Sequence, residues 1–387
     1  MLKILYLSDA RIPSEMANSV SIVNLCNAYS KNGIEVDLIK PWRYSNRNIK
    51  IDDIFNKYNL ENNFNIIDIP YPDTSIFEKI LPEVILRPIN YATKRLWQNY
   101  AVKYVMNNFS PDIIHMRNNM PYALNSLINE NVHIVLEFYD EPSNFYIDTY
   151  KRAIQSSKKI ILTAITSNLA CKISQLFDID QERIFISPSA ANISKFNDHK
   201  LEFKVNKKNI LYVGSLQQNR GIENFIISSQ NITDHNFIIV GGDQKESEEL
   251  KKKFVINKNS NLTFVPHQSQ LNLLNYYKIA NILILPMSGN QQHTKLYASP
   301  NKLFEYMGSG KPIIASNLPS IREILTDNET ALLFNPDDPI DLTEKINQLI
   351  NDDLLAKKLS FNSKKLSELF SWEAKASNLI KLIKSKI

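Results

Sequence analysis

Cysteine is scarce in this 387-residue chain: Cys26 and Cys171 are the only two, and neither has a metal-ligating neighbour in sequence. That argues against a disulfide framework or a zinc site and fits a reducing compartment. Histidine is also sparse, with six in all, and no His/Cys cluster suggests another metal. Long apolar runs are missing too, since none approaches the roughly 20 residues that span a bilayer. The opening Met1–Asp9 has too short an apolar part for a signal peptide and reads as a first buried strand. The expected location is therefore cytoplasmic, at most on the inner face of a membrane.

Glycine is the most informative shortage. Of eight, Gly33 falls where a first helix should stop, and the other seven lie between residues 214 and 310. Glycine is needed where the backbone approaches a ligand or adopts positive φ. Gly214, Gly241 and Gly242 stand at the ends of strand-like runs, where open α/β sheets bind their ligands. The cluster points to a nucleotide in the second half of the chain; singly, each glycine also fits a tight turn.

What is present is ordinary for a globular protein: 43% apolar and 22% charged residues, over a length that suggests two domains. The net charge of +5 is uneven. From 356 to 387, eight lysines face two glutamates, so that segment carries +6 and the rest −1. Such a face is either simply solvated or touches anionic lipid or an anionic acceptor. Arg87, Lys94, Arg95 and Lys103, flanked by Trp97 and Tyr100 in a helical pattern, suggest the same peripheral contact. No aromatic-basic motif accompanies the charge, so nucleic acid is not expected.

Short apolar runs alternate with helix-period segments. Strands are expected at 4–8, 35–40, 65–69, 112–117, 133–139, 159–165 and 183–187, with helices at 19–31, 90–108 and 167–177 among them. The pattern restarts at 209–214, with further strands at 237–242, 262–265, 282–286, 312–315 and 331–334. Helices fit at 222–230, 245–254, 269–279, 301–308 and 339–350. Runs such as Ile-Ile-Leu are apolar on consecutive residues, the mark of a parallel sheet covered on both faces. Two βαβα series imply two doubly wound α/β domains, joined by the polar stretch 191–208.

The densest segment is Ser299-Pro300-Asn301-Lys302-Leu303-Phe304-Glu305-Tyr306-Met307-Gly308. Pro300 suits a helix start and Gly308 a helix stop. The amides of residues 298–302 would then favour a phosphate, with Lys302 adding a point charge. Glu305 shares a face with Lys302 and is placed to accept from ribose hydroxyls, or else merely to pair with the lysine. Asp178-Ile179-Asp180 has the look of a metal motif but lies between a helix and a strand, and reads as a polar turn.

Taken together the chain resembles the retaining GT-B glycosyltransferases of glycosyltransferase family four, of the bacterial surface-polysaccharide type. The resemblance runs through Tyr212-Val213-Gly214-Ser215, Arg220-Gly221, Val240-Gly241-Gly242, Val265-Pro266-His267, Ala280 to Pro286, the segment from Ser299, and the loop Ala10 to Ser19. It implies two Rossmann-like domains facing a central cleft. Residues 1–190 would form the acceptor side, 209–370 the nucleotide-sugar side, and a helix at about 371–387 would pack back on the first domain.

It also implies site residues. Arg220 would hold the donor diphosphate, which a bidentate guanidinium suits. Lys302 would replace a second cation, because Ser215 stands where relatives often have arginine. Glu305 would bind ribose and His267 would border the base, unless it is only a surface histidine. Gly214, Gly241, Gly242, Ser299, Pro300 and Asn301 complete the donor site. The paired-glutamate motif is half present, with Tyr297 in the first position. Arg117, ending His115-Met116-Arg117, would face the cleft and bind acceptor or donor charge, or else join a structural ion pair. Glu137 and Asp140 would be acceptor ligands or the partners of that pair.

The implied reaction moves a sugar from a nucleotide-diphosphate donor to a glycan or lipid-linked acceptor with retention and without a metal or other cofactor. Fixed cations and amides would stabilise the departing diphosphate, and no protein nucleophile is expected. Two other readings keep the fold: an epimerase or hydrolase of nucleotide sugars, and a catalytically silent sugar-nucleotide-binding or scaffold subunit.

Overall fold

The computed structural model describes all residues except 1, 45–47, 49, 78–79, 197–205, 218–219 and 257–260. The middle of the expected linker 191–208, including Asn197, Asp198 and His199, lies outside the described residues. The chain divides into two compact units, one formed by residues 1–187 and 375–387, the other by 188–374.

Among its described residues the first unit holds seven strands: β1 (Lys3–Leu7), β2 (Glu35–Trp42), β3 (Asn65–Pro70), β4 (Ile113–Arg117), β5 (His133–Phe138), β6 (Ile160–Ala164) and β7 (Ile184–Ile186). They pair in the order β3-β2-β1-β4-β5-β6-β7, and every pairing is parallel. Helices such as Ala17–Lys31 and Ser167–Phe177 make the crossovers. Gly33 adopts φ +77° just past the first of these helices, as its position suggests.

The second unit holds β8 (Asn209–Val213), β9 (Asn236–Val240), β10 (Leu262–Val265), β11 (Ile282–Leu285), β12 (Ile313–Ser316) and β13 (Leu332–Phe334), again all parallel, in the order β10-β9-β8-β11-β12-β13. The unbroken apolar runs now have their reason. Leu211, Val213, Leu283, Leu285 and Ile313 enter a core on one face of this sheet. Their neighbours Ile210, Tyr212, Ile282, Ile284 and Ile314 enter a second core on the other face. A strand alternates its side chains, so only a sheet covered twice needs both sets apolar.

Two expectations about helix ends need correction. The helix expected at 90–108 starts earlier, at Glu83, with Pro88 inside it. Proline there removes one bond, to the carbonyl of Val84, a residue left 84% exposed. The helix Asn301–Ser309 runs past Gly308 and is closed by Gly310 at φ +66°. Gly308 serves packing instead: a Cβ there would stand 2.8 Å from Ile193 Cδ1 and 3.1 Å from Phe196 Cδ2.

Candidate functional site

In the second sheet the strand order reverses between β8 and β11, and open α/β folds bind ligands beyond the carboxyl ends of strands at such a point. The loop after β8 begins at Gly214, whose N–H bonds the Val240 carbonyl at 3.0 Å. A Cβ on Gly241 would lie 1.8 Å from the Gly214 carbonyl oxygen, so these two strand ends meet backbone to backbone. His267, exposed just after β10, donates its N–H to Gly242 at 3.0 Å. The loops that follow β8, β9 and β10 are thus stitched side by side, carrying Gly214, Ser215, Gly241, Gly242 and His267 along one edge.

Arg220 is exposed and immediately precedes the helix Ile222–Asn231, whose start at Gly221 has no side-chain cap. Its charge acts on Tyr212, whose phenol burial pushes upward; that hydroxyl donates to the Ser215 carbonyl at 2.7 Å. Gly221 packs against the loop after β11, where a Cβ would strike the Pro286 carbonyl at 1.5 Å.

The helix Asn301–Ser309 opens at Pro300, also without a side-chain cap. Tyr306 anchors it: the buried hydroxyl accepts from the Val213 N–H at 2.9 Å and reaches the Ile284 carbonyl at 3.4 Å, which ties the helix to the ends of β8 and β11. Glu305 therefore projects at the switch point. Its Oε2 accepts from Tyr277 Oη at 2.6 Å and from Lys302 Nζ at 2.7 Å. Burial, reinforced by the Glu305 charge, holds the Tyr277 phenol well above its ordinary pKa, so it remains a donor. The pairing that the three-residue spacing of Lys302 and Glu305 allows is made. Ser299 Oγ accepts from the Ser189 N–H at 2.9 Å. Tyr297, where the first glutamate of the pair would stand, is 4% exposed and closes a five-residue π-helical turn.

In the first unit Arg117 ends β4 and is almost fully enclosed. Its Nε donates to Glu137 Oε2 at 2.7 Å, and its guanidinium reaches Asn18 Oδ1 at 2.5 Å. Glu137 Oε1 accepts from Lys375 Nζ at 2.8 Å, and Lys375 also donates to the Ser187 carbonyl at 3.1 Å. Of the two readings for Arg117 and Glu137, the structure makes the ion pair. Burial alone would raise the Glu137 carboxyl, but Lys375 and Arg117 together hold it well below its ordinary range. Burial lowers Lys375. His115, two residues before Arg117, is driven down to about 3 by burial. Its Nδ1 bonds Tyr29 Oη at 3.0 Å, and its Nε2 has no partner among the described residues. The Asp140 carbonyl accepts from Asn118 Nδ2, and Asp140 Oδ1 accepts from the Glu141 N–H at 2.7 Å.

Sequence reasoning missed Tyr277, Tyr306 and Lys375. Each meets its partner from a distant helix, and no local spacing signals such a meeting. Asp178 and Asp180 behave as turn residues: Asp178 has φ 55° and Asp180 accepts from the Glu182 N–H at 3.0 Å.

Two doubly wound Rossmann-like units in one chain define the GT-B class of fold. Solved structures agree in fold over the full length. Sucrose-phosphate synthase from Thermosynechococcus elongatus superposes with a TM-score of 0.74 at 18% identity, over 100% of this chain and 99% of that one. HepE of Anabaena, solved in complex with UDP, gives 0.73 at 13%, over 99% and 100%. Within the chain, residues 194–366, most of the second unit, match the family described as glycosyl transferases group 1.

Among relatives, an uncharacterized glycosyltransferase of Methanocaldococcus jannaschii is 30% identical over 163 residues, 42% of this chain and 44% of that protein. The O-antigen chain mannosyltransferase of Salmonella typhimurium is 25% identical over 260 residues, 65% of this chain and 68% of that protein. The chain thus spans under half of the first relative and about two thirds of the second.

Proposed function

We propose that this protein transfers a sugar from a nucleotide-diphosphate donor to a glycan or lipid-linked acceptor in surface-polysaccharide synthesis, with retention of anomeric configuration as in glycosyltransferase family four. The observation that carries the reading is the carboxylate of Glu305, fixed by Tyr277 and Lys302 one turn inside a helix that opens without a side-chain cap. A fixed carboxylate suits a ribose diol, and an uncapped helix start suits a diphosphate. Arg220, before a second uncapped helix, supplies the full charge.

In the proposed step the bond between the anomeric carbon and the phosphate oxygen breaks. The acceptor oxygen bonds that carbon on the same face, and the acceptor proton passes to a donor phosphate oxygen. Arg220, Lys302 and the helix amides take up the developing diphosphate charge. No protein nucleophile and no metal are assigned. His267 borders the base. UDP, which HepE holds, is the first nucleotide to try. The protein is placed in the cytoplasm, against the inner face of the membrane, where a lipid-linked acceptor is presented.

Thermal-shift screening of UDP- and GDP-sugars tests the donor site, because a ligand of the folded state alone raises the melting temperature. Arg220→Ala should weaken the best shift sharply; an undiminished shift removes Arg220 from the site. Proton NMR of the product tests retention. Donor hydrolysis that never yields transfer to any acceptor would favour the hydrolase reading. Tyr297 and Ser215, which depart from the family pattern, keep the catalytically silent subunit in view: normal donor binding with no turnover would be its mark.

A further inference from the structure

The helix Glu83–Asn108 in the first unit is apolar on two faces. Leu86, Trp97, Ala101 and Val105 point inward and are at most 5% exposed. Trp97 therefore cannot act as the surface aromatic that its sequence neighbourhood suggests. Val84, Ile85, Ile89, Leu96 and Tyr100 point outward and are 84%, 49%, 39%, 65% and 53% exposed. At about 100° per residue they fall within an outer arc of roughly 160°, which exposed Arg95, Asn99 and Lys103 share. Ile80, just before the helix, is 74% exposed as well. A row of large aliphatics left bare on one helix marks a contact surface.

The charges say what covers it. The helix carries Arg87, Lys94, Arg95 and Lys103 against Glu83 alone. Lys94 is engaged with Asp9 at 3.2 Å, while Arg95 and Lys103 are exposed within the arc of the stripe and Arg87 is exposed on the far side of the helix. A second copy of the chain would set these cations against one another. A surface of anionic phospholipid headgroups answers both features at once, the aliphatics entering the acyl boundary and the cations the phosphates. The lysine-rich terminal segment adds less than its composition suggests, since Lys375 is 6% exposed and bound to Glu137.

We propose that the outer face of the helix Glu83–Asn108 docks the protein on anionic phospholipid bilayers, lying in the interface plane without crossing it. No described helix is long and apolar enough to span a membrane. The inference deepens the membrane part of the functional reading and is separable from sugar transfer.

The test is sedimentation of the full chain with vesicles of phosphatidylcholine alone or with phosphatidylglycerol. Anionic lipid should raise the partition at least about tenfold, since each basic residue near the surface is worth about 1 kcal/mol. The double variant Val84→Glu, Leu96→Glu should abolish binding, and Arg95→Glu, Lys103→Glu should abolish its dependence on phosphatidylglycerol. Melting temperature and the nucleotide thermal shift should be unchanged in both, which separates this result from any failure of the donor site. Binding indifferent to lipid charge, or unaffected by the glutamates, overturns the proposal. So does a concentration-dependent dimer that the glutamates dissolve, since that would make the face a contact between copies.

Discussion

Tyr277 and Glu305 meet through a single hydrogen bond of 2.6 Å, made by a buried phenol to a carboxylate that is still partly open to solvent. The tyrosine comes from the helix Gln270–Ile279 and holds the acid from behind while Lys302 holds the same oxygen from the side. Both of these bonds go to Oε2. Removing the carboxylate charge should cost nucleotide affinity more than stability. Glu305→Gln is expected to weaken UDP or GDP binding about tenfold, or about 1.4 kcal/mol, in calorimetric titration. Tyr277→Phe should lower unfolding free energy by about 1.5–3 kcal/mol, the range for hydrogen bonds to charged groups.

Glu137 binds two buried cations, Arg117 through one oxygen and Lys375 through the other. Glu137→Ala leaves both Arg117 and Lys375 enclosed without it, and should cost about 3–5 kcal/mol in urea unfolding. Lys375→Met leaves the Arg117–Glu137 pair intact and should cost less. Because Lys375 joins residues 375–387 to Glu137 and Ser187, it should also speed amide hydrogen exchange in that last segment.

His115 makes the first unit sensitive to acid. Unfolded, it protonates below about pH 6.5; folded, only near about 3, because burial keeps it neutral. Tyr29 and Tyr6 face it, Glu137 favours its charge, and Lys375 and Arg117 oppose it. The unfolded state thus binds more protons, and stability is full above pH 6.5 and falls as pH drops. Between pH 6.5 and 5 the loss should be about 1.6 kcal/mol. In His115→Leu that part of the slope should vanish, read from urea midpoints at the two pH values.

Gly221 and Gly33 share a left-handed backbone, with φ +68° and +77°, but not their surroundings. Nothing lies within 4 Å of a Cβ built on Gly33, so Gly33→Ala should cost only about 1 kcal/mol, the strain of the backbone. Gly221→Ala would also drive a methyl into the Pro286 carbonyl. It should cost at least about 2 kcal/mol and displace Arg220, weakening nucleotide binding as well.

The architecture was legible because it depends on local pattern. Consecutive apolar residues in runs such as Asn209–Val213 and Ile282–Leu285 can be satisfied only by a sheet with two covered faces, and their alternation with helix-period segments implies parallel crossovers. The helix carrying Lys302 and Glu305 was legible for the same reason, since a three-residue spacing places two side chains on one face wherever the helix lies. Glycines at 214, 241 and 242 signalled strand ends that approach closely, and the 1.8 Å clash a Cβ on Gly241 would make gives the cause.

What only the tertiary structure decided was which distant groups share a charge. Arg117 could be read from its strand end as a ligand or as half of an ion pair; Glu137 and Lys375, brought to it from 20 and 258 positions away, made it the latter. Trp97 and Leu96 are neighbours in sequence, yet one is enclosed and the other open, because the packing of a single helix divides them. Periodicity determines which residues lie on one face. The partner that face meets is chosen by long-range packing, which chain order does not encode locally.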